Sequence, residues 1–227
     1  MKKIFTLALC CLSMAALITS CGGNAQKKAE EAAAAAQAEA DSIAAVTAQK
    51  VAEKLATLPE EPVFDIVTTD GIIKIKLYSK TPKHRENFAK LALSGFYDGL
   101  LFHRVINGFM IQGGDPLTKD KANVDKFGTG GPGYTIEAEF VPEYTHKKGA
   151  LAAARRGDTA NPMKESSGSQ FYLVQNAEAC AQLDGDYTVF GETIEGLDII
   201  DAIANVPTGA KDLPQRDVKI ITIKLAE

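Results

Sequence analysis

The sequence predicts a mainly β domain: an eight-stranded antiparallel barrel, closed on itself and capped by two helices, behind an Ala-rich helical tether. Three observations carry that prediction. From Val63 onward, short β-branched and aromatic runs alternate with period two and recur between turn residues. Eight or so short strands with few helices follow in about 165 residues, which argues for a closed antiparallel barrel. From Lys27 to Leu58 the composition is instead Ala, Glu, Gln and Lys, with no Gly or Pro before Pro59.

The N-terminus is set apart from the fold. Lys2 and Lys3 form a positive leader, and Ile4 to Ile18 is an apolar run too short to span a bilayer comfortably. Leu17-Ile18-Thr19-Ser20-Cys21 then closes it with small residues before a cysteine, an ending that resembles a bacterial lipobox. Residues 1–20 are therefore read as a lipoprotein signal peptide and Cys21 as the lipidated first residue of the mature chain. Several acyl chains on one cysteine give stable anchoring, so the expected location is the cell envelope, on the periplasmic side, with the membrane as a partner through Cys21. Cys10 and Cys11 leave with the signal, and Cys180 alone remains for the domain, so no internal disulfide is expected. Residues 21–61 form the linker. Within it Ala44, Ala48, Val51, Leu55 and Leu58 follow a thin apolar seam; fully helical, the segment stands the domain on the order of 45 Å from the bilayer.

Residues 62–227 form the domain. Val63–Thr69 and Ile72–Tyr78 read as a hairpin with a type I′ turn at Asp70-Gly71. Thr81-Pro82 is an N-cap and N1 pair opening a helix to about Leu93, which Gly95 stops. Leu117 to Lys126 reads as loop. Strands follow at Tyr134–Ile136, Ala150–Ala154, Gln170–Val174, Tyr187–Phe190 and Val218–Leu225, with short helices over 177–182 and 197–204. Gly128 to Gly133 satisfies GxGxxG, but a polar loop precedes it and a strand follows it, whereas a dinucleotide fingerprint needs a strand before and a helix after.

Composition excludes several function classes. With 45% hydrophobic and 24% charged residues and a formal net charge of -4, the 227-residue chain is an ordinary globular one with no basic footprint for nucleic acid. The three histidines, His84, His103 and His146, lie at no metal-ligand spacing, so no metal and no cofactor is expected. Ser166 to Ser169 lacks the glycines of a nucleophile elbow, and Asp184-Gly185-Asp186 lacks the later ligands of a calcium loop. What remains is Leu101 to Asp115, LFHRVINGFMIQGGD, which sets Arg104 among apolar residues and follows it with Phe109, Met110 and Gln112. A permanently charged, five-donor guanidinium on a greasy wall suits a reaction that moves no proton and breaks no bond. Rotation about a prolyl peptide bond is such a reaction. Its barrier is about 20 kcal/mol, and lowering it by roughly 7 kcal/mol gives about 10⁵-fold.

The same stretches, FHRVINGFMIQGGD, GTGGPGY, HKKGALAAAR, SSGSQFYL and LDGDYTVFGE, resemble in order the cyclophilins, the peptidyl-prolyl cis-trans isomerases. The resemblance covers roughly 63–226. It implies a cyclophilin-like barrel acting as a monomeric domain on proline-containing polypeptides, with Arg104 catalytic and Gln112 orienting it. It further implies that Phe109, Met110, Tyr172 and Leu183 take the proline ring, that Ala154, Arg155 and Gln170 bind the flanking chain, and that His103 lines the rim. The sequence departs from the family at Gln182, where many members carry tryptophan, which implies weak cyclosporin binding; at Tyr172, whose hydroxyl needs a partner; and at Arg155, often Asn. A holdase that keeps the pocket with little turnover is the alternative reading.

Overall fold

The computed structural model describes residues 23–227; the expected signal peptide and Cys21 lie outside the described residues. The chain divides between Val46 and Thr47 into two units. Helix α1 (Gly23–Ala56) begins in the first, where its side chains from Glu30 on are exposed. In the second unit the seam meets the domain: Val51 is buried, and Leu55 and Leu58 pack on the core. The compact domain thus begins with the last turns of α1, upstream of Pro62.

The sheet runs through β1 (Val63–Thr68), β2 (Gly71–Leu77), β3 (Arg104–Ile106), β4 (Met110–Gly113), β5 (Thr135–Ile136), β6 (Ala150–Arg155), β7 (Ser166–Val174), β8 (Val189–Glu195) and β9 (Ile220–Leu225). All pairings are antiparallel, in the order β3-β4-β7-β6-β8-β2-β1-β9, with β5 beside β7. The path has the eight strands expected, and β5 is a short ninth. Closure is only partial, because the ends of the path are joined through a single bridge, Leu101 to Lys219, and its neighbouring backbone bonds. Helices α2 (Pro82–Leu93) and α4 (Leu197–Ala204) are the two caps, and α3 (Ala177–Cys180) is one turn.

Period-two alternation sorts the side chains into two apolar layers. Ile66, Ile75, Val105, Ile111, Leu151, Phe171 and Leu173 point into the barrel, where Phe88 and Tyr97 join them. Met110, Ala150, Ala152, Ala154, Tyr172, Val174 and Val189 form a second cluster on the outer face. This second face carries the functional site, so the barrel interior is filled core and no ligand space.

Several local expectations are corrected. The β1–β2 register pairs Thr68 with Gly71, so the loop residues are Thr69 and Asp70, one position earlier than a type I′ turn at Asp70-Gly71 requires. Thr68 Oγ1 accepts from Asp70 N and donates to Gly71 O, and Gly71 itself takes φ +142°. Thr81 does not cap α2; its hydroxyl donates to Tyr78 O. The cap comes from Glu139, far along the chain, which accepts from the backbone N–H of Lys83 and of His84. The supposed loop after Asp115 is two 3₁₀ turns, Pro116–Lys119 and Lys121–Lys126, opened by the carboxylates of Asp115 and Asp120 as side-chain caps. Finally, β8 continues through Gly191 to Glu195: the glycine does not end the strand but sits inside it, paired with Leu77, where the approach of Lys76 O leaves no room for a Cβ.

Candidate active site on the outer sheet face

The ladder brings distant residues into one row. Arg104 lies opposite Gln112, Gln112 opposite Tyr172, Tyr172 opposite Ala152, and Ala152 opposite Val189. Directly paired residues share a face, so the row crosses the sheet with its cation at one end and small apolar residues at the other. The alternating alanines of β6 leave space above the sheet. Between β3 and β4 the chain turns through Asn107 and Gly108, which has φ +77°. Phe109 O then accepts from the N–H of Gln175 and Asn176, anchoring the main chain there.

The result is a cavity of about 560 Å³ lined by His103, Arg104, Phe109, Met110, Gln112, Ala154, Arg155, Tyr172 and Leu183, nine of the ten residues named from sequence. The tenth, Gln170, lies in the adjoining hollow with Gly130, Arg156 and Asn161. It still reaches the site through a chain of amides: Gln112 Nε2 donates to Gln170 Oε1 at 3.0 Å, and Gln170 Nε2 donates to the carbonyls of Gly128 and Gly130. That glycine loop is held from below by the buried Asp115 carboxylate, which accepts from Leu117, Gly128 and Gly130 N–H, and a Cβ at Gly130 would collide with it. The GxGxxG pattern is thus a latch around a carboxylate of the protein itself.

Two of these side chains, Gln112 and Arg155, are bonded within the protein itself. Gln112 spends its amide on Gln170, while Arg104 Nε donates to Asp212 Oδ2 at 3.3 Å. Arg155 has a side chain only 5% exposed: it lies 4.3 Å over the Tyr187 ring and bonds Asp186 O, Arg156 O and Asp158. Its guanidinium thus forms part of the wall, with Nε and Nη1 bonded within the protein. The Tyr172 hydroxyl has its partner in His146 Nε2 at 2.8 Å, and His146 Nδ1 meets Asp184 at 2.6 Å. Burial lowers the His146 pKa against the pull of Asp184, so the ring is neutral: Nδ1–H donates to the carboxylate and Nε2 accepts from the tyrosine. Burial likewise raises the Tyr172 hydroxyl and lowers His103. Sequence reading missed the far wall, formed by Val124, Phe127, Tyr187 and residues 210–213. Among the described residues no group of His, Cys, Asp and Glu could hold a metal ion. Cys180, with its thiol pushed up to about 11 by burial, is buried and donates to Phe109 O.

The chain is similar to several known proteins. The peptidyl-prolyl cis-trans isomerase of Acinetobacter baylyi is 37% identical over 169 residues, 71% of this chain and 84% of that protein. Some relatives are far longer: the chain spans 28% of the peptidyl-prolyl cis-trans isomerase-like 2 of Rhizopus delemar, at 37% identity over 167 residues. A crystal structure of a Cryptosporidium parvum cyclophilin type peptidyl-prolyl cis-trans isomerase superposes with TM-score 0.64 and 31% identity, covering 74% of this chain and 98% of that one. The same protein has also been solved in the presence of the dipeptide Ala-Pro. The family model for cyclophilin type peptidyl-prolyl cis-trans isomerases matches residues 63–225, and the chain belongs to that family.

Proposed function

We propose that this protein catalyses cis-trans isomerisation of X-Pro bonds in polypeptides, with Arg104 as the catalytic group and the outer-face cavity as the proline site. The observation that carries the reading is the cation at the rim of that apolar cavity, with Met110 and Tyr172 buried in its wall. As the amide twists, conjugation is lost and a lone pair localises on the prolyl nitrogen. A guanidinium donor aimed at that nitrogen binds the twisted amide better than the planar one, and the difference lowers the barrier. Phe109, Met110, Tyr172 and Leu183 hold the ring, so that rotation occurs on the acyl side. A structural neighbour studied with Ala-Pro supports a proline-containing ligand.

The Arg104→Ala variant should lose about 10²- to 10³-fold in kcat/KM on an X-Pro peptide, the range for removing one preorganised donor, with its fold intact. Exchange rates by NMR measure this directly; wild-type rates in a folded Arg104→Ala protein would sink the assignment. His103, Ala154, Arg155 and Gln170 complete the reading as contacts to the chain flanking the proline, Arg155 through its main chain. Gln182 beside Leu183 supports weak cyclosporin affinity. The leader and Cys21 support action as a lipid-anchored domain that assists folding of exported proteins in the cell envelope.

A further inference from the structure

The arginine read above as catalytic is held by a residue outside the sheet. Asp212 accepts from Arg104 Nε at 3.3 Å, and the two side chains are 43% and 45% exposed. The other guanidinium donors of Arg104 have no partner among the described residues. One edge of the fork is therefore occupied by the protein, while the two terminal nitrogens stay free at the cavity.

The segment that carries Asp212 is built to place it. Pro207 to Gln215 folds back on itself: Gln215 N donates to Pro207 O, Gly209 N donates to Leu213 O, and Thr208 bridges Pro214. At its tip Lys211 and Asp212 adopt φ +60° and +59°, consecutive left-handed residues of which neither is glycine. Such a conformation is strained for L side chains and persists only where the surroundings impose it. Lys211 pins the strap on its other side, donating from Nζ to Asp125 O at 3.2 Å. The tip thus bridges β3 to the 3₁₀ turn at 121–126 and forms one wall of the cavity. Gln112, the neighbour expected to orient Arg104, has its amide turned to Gln170.

We propose that Asp212 is a positioning residue for Arg104: it fixes the Nε edge of the guanidinium so that the terminal nitrogens face the prolyl amide. The inference rests on the catalytic reading of Arg104. A half-exposed ion pair is a weak contact in high dielectric, so the carboxylate takes little of the field the arginine exerts on its free side. Its larger effect is on the number of rotamers that a long, exposed arginine samples. Because the arginine acts in the transition state, losing its placement lowers kcat and leaves KM nearly unchanged.

Asp212→Asn is the informative substitution, because asparagine also tolerates the left-handed conformation and only the charge is removed. The expected result is a three- to fivefold drop in kcat at constant KM, with Asp212→Glu recovering part of it. In an Arg104→Lys background, which lacks the Nε–H, Asp212→Asn should change nothing further. The Arg104 Nε–H signal in a ¹⁵N spectrum should exchange faster with solvent in Asp212→Asn than in wild type. Unchanged or increased kcat, an equal loss in the Arg104→Lys background, or unaltered Nε–H exchange would each overturn the proposal. If Arg104→Ala instead keeps full turnover, the catalytic reading falls, and the exchange measurement still reports whether Asp212 holds the guanidinium.

Discussion

At the residue scale, the polar groups buried behind the cavity are as constrained as those facing it. His146 is fully enclosed and sits in a one-way relay: the Tyr172 hydroxyl donates to the ring, and the ring donates from its other nitrogen to Asp184. Protonating the ring would turn both nitrogens into donors and reverse the Tyr172 contact. Both His146 and His103 have pKa values lowered by burial from the ordinary 6.5. A histidine whose folded pKa lies below its unfolded one contributes stability above about pH 6.5, and that contribution is lost as pH falls toward the folded value, with a slope of at most about 1.4 kcal/mol per pH unit for each ring. Urea unfolding at pH 7, 6 and 5 should show stability declining on acidification, and His146→Gln should flatten that decline by up to one proton's worth. An identical slope in the variant would mean that the relay does not titrate with folding. The resemblance made the apolar members of this site legible, and the need of the Tyr172 hydroxyl for a partner could be stated from its residue type alone. Which residue supplied it could not, because His146 and Tyr172 meet only once β6 and β7 pair.

At the scale of single elements, strand periodicity was readable and most ends were not. The runs at β1 and β2 stand where the pattern put them, since one face of each is buried and period two records that burial; β6 and β7 are buried on both faces, and β7 begins at Ser166, ahead of the Gln170 that the sequence suggested. The start of α2 shows why the ends differ. Thr81-Pro82 has the local chemistry of a cap, yet the N-terminal amides take the Glu139 carboxylate, 55 residues from His84 along the chain. Glu139 also accepts from His84 Nδ1 at 2.7 Å. Burial alone would raise the Glu139 pKa, but bonds from the His84 ring and from the two backbone N–H groups outweigh it and hold the carboxyl below the usual range. A carboxylate lowered in this way contributes stability above its unfolded pKa, and that contribution disappears as pH falls through the folded value. Glu139→Gln should therefore cost about 1 to 3 kcal/mol at pH 7, the range for a charge-assisted cap, and much less near pH 3. Thermal melts of both proteins at the two pH values check this; a penalty that does not shrink in acid would assign Glu139 a packing role only.

At the scale of the whole molecule, every residue of the proposed proline site lies within residues 47–227, and the N-terminal part enters only the proposal of a membrane anchor. Among the described residues no helix is long and apolar enough to cross a membrane, and the first unit's share of α1 is rich in Ala with Lys and Glu interspersed. A hold on the bilayer would therefore come through the N-terminus, where Ile4 to Ile18 falls short of the roughly 20 apolar residues a spanning helix requires. One acyl chain gives only marginal binding, at about 0.8 kcal/mol per buried methylene, and several on one cysteine give a stable anchor. Expressed in full in a bacterium that processes lipoproteins, the chain should lose residues 1–20 and carry its acyl mass on Cys21. It should also partition into the detergent phase. Cys21→Ser should abolish both the acyl mass and the partition while leaving prolyl turnover of the folded domain unaltered. A mature chain that begins elsewhere, or a Cys21→Ser protein that still partitions with the membrane, would remove the anchor from the proposed function and leave the isomerase site untouched.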